Sequence, residues 1–263
     1  MSEINSLTLN FTVLKVKNVI ISQPQPPNYE KSPYYEIAKK HNLNITFKKF
    51  IVIEPVLAQE FRKSRINILD HTAIIFTCNN AVDHFFRLAK EMRIMIPDTT
   101  KYFCVSEKTA FYLQKYVQFR KRKIFNGKEK PEELINIIKK HTQEKFLLPC
   151  TESHKQEIVN LFATNKISVR KAMIYRTITN MDVQKEIKID TVDMLVFFSP
   201  FGIKALFENY PDFKQNKKII ATWGQTTHAA ALEAGLKVNI FGPSETLTSM
   251  PMAIDTYLDK IKK

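Results

Sequence analysis

Short apolar runs recur along this chain, and nearly every one leads through a turn of small or hydroxyl-bearing residues into a helical pattern. A strand that is apolar throughout must be covered on both faces, and helices placed between such strands make the connections parallel. Strands are expected at 19–21, 73–76, 102–105, 123–125, 146–148, 169–178, 194–198, 219–221 and 238–241. Residues 44–56 read as one long strand, and helices are expected at 58–67, 132–141, 157–162, 203–208 and 252–261. Further helices open after Ser32-Pro33, Asn80 and Thr109, with Ser32 as a cap and Pro33 in the first turn. Residues 1–16 show no period.

One stretch combines several punctuation signals. Thr222 to Leu236 reads as a strand end, a glycine turn at Gly224, and a helix that Thr226 or Thr227 caps and Gly235 ends. A turn of that kind before a helix offers unpaired N–H groups to an anion.

The units repeat. Ile74 to Val82 matches the strand at Val196 and its sequel, Val105 to Thr109 matches Trp223 to Thr227, and Ile124 to Gly127 matches Ile240 to Pro243. Thr109 and Thr227 are 118 residues apart, Ile124 and Ile240 are 116 apart, and the unit at Val19 has a counterpart 127 residues on at Phe146. Two related α/β halves follow. Ligands of such sheets bind at the carboxyl ends of the strands, the edge at which Thr77, Thr109, Ser199 and Thr227 are placed. If the halves face one another, their helix N-termini converge on one cleft.

Charge narrows the partner. The formal net charge is +14, which suits a polyanion; the densest basic run, Arg120 to Lys123 with Lys128 and Lys130 beyond, is equally well a solvated loop. Elsewhere the cations are dispersed, which weakens a nucleic-acid reading. No apolar run reaches the roughly 18 residues that span a membrane, and no signal-peptide pattern stands at the N-terminus. The 3 cysteines lack metal or disulfide spacing and fit a reducing cytoplasm, and the 6 histidines show no metal-ligand spacing. His228 reads as a capping or solvated residue beside the cleft. Neither a dinucleotide fingerprint nor a Walker loop is present.

Taken in order, Phe76-Thr77 with Asn80-Ala81-Val82, Thr109-Ala110, Ile174 to Thr177, Phe197 to Gly202, and Gly224 to Thr227 with Ala234-Gly235-Leu236 form a set. The set resembles the uroporphyrinogen-III synthase family, in its bacterial branch, with Ser249-Met250 near the end.

The resemblance implies two flavodoxin-like domains, each a parallel sheet in three α/β/α layers. They are related by duplication, with the first βαβ unit swapped into the C-terminal domain and a two-stranded ladder joining them. The domains implied are 1–54 plus 178–263, and 55–177. It also implies cofactor-free, metal-free cyclisation of hydroxymethylbilane, a tetrapyrrole polycarboxylate, with inversion of the last pyrrole ring and loss of water. Tyr175 matches the family's candidate acid, and a packed strand tyrosine is the plain alternative. Thr77, Asn80, Thr109, Ser199, Gly202, Gly224, Thr226 and Thr227 match substrate-binding positions, and Lys155 matches a basic position that could pair with a propionate. A cytoplasmic monomer in transient contact with hydroxymethylbilane synthase is implied, without nucleic-acid or membrane partners. Cys78, Ser106, Phe201 and the turn 151–153 depart from the family pattern. A tetrapyrrole-binding paralogue without turnover, or a basic nucleic-acid-binding protein, are the alternatives.

Overall fold

The computed structural model describes residues 16–128, 131–151 and 156–261. In chain order the elements are β1 (Asn18–Ile21), α1 (Pro33–His41), β2 (Asn44–Phe47), β3 (Ile51–Pro55), α2 (Ala58–Arg62), β4 (Ala73–Phe76) and α3 (Asn79–Glu91). They continue as β5 (Lys101–Cys104), α4 (Glu107–Leu113), β6 (Ile124–Asn126), α5 (Pro131–Ile138), β7 (Phe146–Thr151), α6 (Gln156–Thr164) and β8 (Val169–Thr179). The last are α7 (Val183–Glu186), β9 (Met194–Phe197), α8 (Pro200–Asn209), β10 (Ile219–Trp223), α9 (Gln225–Glu233), β11 (Val238–Gly242) and α10 (Met250–Ile261). No helix among the described residues is long and apolar enough to cross a membrane.

The chain divides after Val52 and after Ile178, so that Ile53–Ile178 forms one compact unit and the flanking segments form the other. The flanking unit, called unit 1, has the strand order β11-β10-β9-β1-β2, so the first βαβ unit completes a sheet with strands from the far end of the chain. Unit 2 contains β8-β7-β4-β5-β6, with β3 beside β8. Numbered from its own β-α-β pair, each unit has the flavodoxin-like order 2-1-3-4-5. The pair β7–β8 stands in unit 2 where β1–β2 stands in unit 1, which is the counterpart relation the sequence shows between Phe146 and Val19. The N–H of Asn180 donates to Phe50 O (2.9 Å) and that of Val56 to Ile174 O (3.0 Å), so β3 and β8 run antiparallel as the ladder in which the chain passes from unit to unit.

Period-2 alternation explains the three layers. In unit 1, Val19, Ile21, Met194, Val196, Ile219 and Ala221 share one core with α1 and α10. Ile20, Leu195, Phe197 and Ile220 point to the other core, under α8 and α9. In unit 2, Ile74, Phe76, Tyr102 and Cys104 pack with α3 and α4, while Ile75, Phe103, Phe146 and Leu148 pack with α5 and α6. Cys104 and Cys150 are free and buried, and burial pushes their thiols up to about 12 and about 11.

Three local expectations are corrected. The strand expected over 44–56 is two strands in different sheets, because Phe50 turns inward between them, fully buried with its ring edge-on to Phe197 at 5.6 Å. The helix expected over 58–67 stops at Arg62: the Ser64 hydroxyl donates to Phe61 O (2.7 Å), and Arg65 takes a left-handed φ of 53°. Ser32 precedes α1, but its hydroxyl donates to Tyr29 O (2.6 Å) instead of accepting from the helix. Residues 1–15, most of the segment read as lacking a period, lie outside the described residues.

The two ends of unit 1 are also tied by charge. Lys40 Nζ lies 2.8 Å from Asp255 and 2.8 Å from Asp259, and the buried His41 places Nε2 2.6 Å from Asp255 Oδ1. The Lys40 hydrogen bond, followed by that of His41, holds the Asp255 carboxyl below its ordinary 3.8 against the opposing effect of burial. A depressed folded-state pKa stabilises above the unfolded value and loses that stabilisation as pH falls through the folded value. Asp255→Asn is therefore expected to lower the denaturation midpoint at pH 7. The gap from the parent should close below about pH 4, which urea melts at several pH values would read.

Candidate functional site

At the carboxyl edge of each sheet, two strand-to-helix turns lie side by side at matching places in the two units. In unit 2 the register pairs Phe76 with Cys104, so the turn Thr77-Cys78 lies beside Val105-Ser106, and Val105 N–H donates to Phe76 O (3.0 Å). In unit 1 the register pairs Phe197 with Thr222, which sets Phe198-Ser199 beside Trp223-Gly224.

The four helices that start there differ in one physical respect. Ser106 Oγ accepts from Thr109 N (3.3 Å), and Ser199 Oγ accepts from Gly202 N (3.2 Å), so α4 and α8 cap themselves. Cys78 and Gly224 provide no side-chain cap. Their helices, α3 and α9, keep first-turn N–H groups available to an external acceptor. Of these two turns in each unit, one helix start is self-capped and one is open, in opposite order along the chain.

Gly224 rather than Thr226 or Thr227 occupies the cap position of α9, which corrects the sequence expectation. Its φ of 89° and ψ of 146° are strained for any residue with a Cβ, which is why the turn uses glycine. Thr226 is exposed in the first turn, whereas Thr227 is 1% exposed and packs inward. Gly235, with φ of 77°, ends the helix as the sequence implies: its N–H donates to Leu232 O (2.9 Å), and Leu236 N–H donates to Ala231 O (2.9 Å). No atom lies within 4 Å of a Cβ added at Gly224, so the cost of Gly224→Ala is backbone strain alone. A loss of about 1–3 kcal/mol is expected in chemical denaturation.

The remaining residues fall as follows. Thr77 is half-buried and Asn80 is exposed on the first turn of α3. Thr109 is 4% exposed and its hydroxyl lies 3.1 Å from Ser106 Oγ, so it braces the turn from within. Gly202 is buried, with space for a Cβ limited by Phe197 at 3.2 Å and Ser22 Oγ at 3.8 Å. Lys155 lies outside the described residues. The His228 ring packs on Phe241 at 4.5 Å, with Nδ1 3.5 Å from Thr222 Oγ1.

Tyr175, on β8 opposite Thr151, is 4% exposed. Its hydroxyl lies 3.5 Å from Cys78 Sγ at the open start of α3, and its ring stacks on His84 at 5.1 Å. Burial first, and then the neighbouring Cys78, pushes the phenol far above its ordinary value. Burial and then Arg87 hold the His84 imidazole below its ordinary value, and among the described residues its Nδ1 has no hydrogen-bond partner. Thr151 Oγ1 is likewise buried without a partner among the described residues. Sequence reading passed over His84 and Thr151 as neighbours of Tyr175. Only the pairing of β7 with β8 and the packing of α3 on that sheet bring them together. Cys78 and Thr151 both stand where the sequence departs from the family pattern, and that departure is the signal that could have drawn attention to them.

The family model for uroporphyrinogen-III synthase HemD matches residues 36–251. Two solved structures share the fold. A mutant uroporphyrinogen III synthase from the extremely thermophilic bacterium Thermus thermophilus is 17% identical with a TM-score of 0.59, and uroporphyrinogen-III synthetase from Helicobacter pylori is 18% identical with a TM-score of 0.60. Each alignment covers 93% of this chain and 100% of the other. No curated protein sequence matches the chain. With the family model covering most of its length and the same two-unit α/β fold beneath, the chain belongs to the uroporphyrinogen-III synthase family.

Proposed function

We propose that the uroporphyrinogen-III synthase activity of this chain resides at the carboxyl edges of its two sheets. The family match over residues 36–251 carries the activity, and the open starts of α3 and α9 support this placement. In the family's reaction hydroxymethylbilane loses its hydroxyl to give an azafulvene. The substituted carbon of the last ring then attacks, a spiro intermediate forms, and reopening inverts that ring. The bilane closes unaided to the type I isomer, so the work of the protein is to hold the conformer in which the substituted carbon is the one that reaches.

Substrate carboxylates accept from first-turn N–H groups at Asn79–Asn80 and at Gln225–Thr226. Each helix start is worth about 0.3–1 kcal/mol toward an anion, a modest share of what binding requires. Thr77, Asn80, Gly224 and Thr226 make direct contacts in this reading, and Lys155 pairs with a propionate. Thr109, Ser199, Gly202 and Thr227 hold the turns in shape. Tyr175 delivers a proton toward the departing hydroxyl as a neutral phenol. The chain works as a cytoplasmic monomer, in keeping with its three free cysteines, and takes its unstable substrate from hydroxymethylbilane synthase.

Incubation with hydroxymethylbilane, oxidation and chromatographic separation of the isomers tests the reading. Type III product above the spontaneous background is expected. Type I alone, with saturable bilane binding, would identify a binding paralogue instead.

A further inference from the structure

Unit 2 holds a cavity of about 890 Å³ at the amino ends of β5 and β6, the opposite edge of the sheet from the turns described above. The second half of α3 forms one wall, and the segments that follow α3 and α4 form the others. Its lining is apolar and aromatic in the middle, through Phe86, Tyr102, Tyr116, Ile94 and Ile124, and cationic at the rim, through Lys90, Arg120 and Lys123. That size and mixture are those of a small-ligand pocket.

The aromatic wall is built before any ligand arrives. Phe86 and Tyr116 stack with centroids 4.6 Å apart and planes within 4°. Tyr116 is held there by a 2.7 Å hydrogen bond to Asp83 Oδ1, and Tyr112 donates to Asp83 Oδ2 at 2.7 Å. Both Asp83 oxygens are therefore engaged inside the wall. Burial and Asp83 push the Tyr116 phenol up to about 12, so it remains a donor through the neutral range.

The rim has the opposite character. Among the described residues, Lys90, Arg120 and Lys123 take part in no ion pair, and Asp98 is the other acid of the lining. Met95 and Phe119, next in sequence to lining residues, are 89% and 52% exposed. Apolar surface next to unpaired cations fits a molecule with an apolar body and an anionic end. It also gives the basic run at 120–123 a use beyond solvation.

We propose that this cavity binds a small amphipathic anion, a carboxylate with a flat apolar body, its body against Phe86 and Tyr116 and its charge held by Lys90, Arg120 and Lys123. A concave site with one short basic turn favours such a ligand over a nucleic acid, which would track an extended basic stripe.

The test uses the full chain and 8-anilinonaphthalene-1-sulfonate, whose sulfonate stands in for the carboxylate, followed by fluorescence. Saturable one-to-one binding is expected, weakened about tenfold or more in the double variant Lys90→Gln/Lys123→Gln and severalfold in Tyr116→Ala. Gly224→Ala, at the other edge, should bind the dye as the parent does, and the lysine variant should keep type III synthesis. Thermal melts confirm that each variant is folded. Competition with 2-naphthoate should displace the dye at lower concentration than dodecanoate does. Absence of saturable binding overturns the proposal, as do equal dissociation constants in parent and lysine variant. Displacement by a 20-nucleotide oligo(dT) at lower concentration than either carboxylate would assign the surface to nucleic acid and overturn it as well.

Discussion

Tyr175→Phe should lower kcat for type III product by roughly ten- to a hundredfold and leave the protein folded. General acids contribute about 10² to 10⁴ when their pKa lies near the working pH. Burial drives the Tyr175 phenol away from that match, so the contribution belongs at the lower end. Phenylalanine keeps the ring that stacks on His84 at 5.1 Å and gives up only the long 3.5 Å contact with Cys78. Stability should accordingly change by no more than about 1 kcal/mol, the net value of an ordinary hydrogen bond. The raised phenol also implies that Tyr175 places no inflection in the rate profile between pH 6 and 9. Rapid quench with isomer separation, paired with a urea melt, separates the two effects. An unchanged kcat removes Tyr175 from the chemistry and leaves it a packed strand tyrosine.

The second large effect is expected at Gly242→Ala, where the cost is steric. A Cβ at this position would run into Trp223 Cζ3 and lie 2.8 Å from Cε3, so the indole or the strand must move. Overpacking of this kind typically costs about 1–3 kcal/mol. The consequence extends to the anion turn: Trp223 precedes Gly224, and Gly224 N–H donates to Gly242 O at 2.6 Å. Displacement of β11 against β10 therefore shifts the open start of α9, and KM for the bilane should rise more than kcat falls. Trp223 is the only tryptophan, so its emission reports the local change directly. A parent-like spectrum with a parent-like KM would show that the ring yields without moving the turn.

The sheets are largely legible in the sequence, because burial on both faces leaves apolar runs such as Ala73–Phe76 and Met194–Phe197 that tolerate few other readings. The duplication was legible too, since equivalent turns demand equivalent small residues. Local competition was harder to read. Ser32 and Thr226 have the chemistry of caps, yet a nearby carbonyl claims one and Gly224 takes the place of the other. The break at Lys48–Phe50 is set by a tertiary pocket for one aromatic ring, which no local pattern records. At the candidate site, hydroxyl positions could be placed on turns from the sequence. Which starts stay open follows from the residue that takes the cap position: Ser106 and Ser199 cap their own helices, whereas Cys78 and Gly224 do not. The neighbours of Tyr175 depend on the order of strands.

The strand order of unit 1 also sets a timetable. Val19 pairs with Met194, so β1 leaves the ribosome some 175 residues before the strand that will cover its flank. At about 5–20 residues per second this is roughly 10 to 35 s. Throughout that interval β2 is the only strand available to shield Val19, Ile20 and Ile21. Unit 2 is contiguous and complete once Ile178 has emerged, and can assemble while the first βαβ segment is still waiting. The nascent chain is thus most exposed to aggregation and to holdase capture at Val19–Ile21, which the mature protein buries.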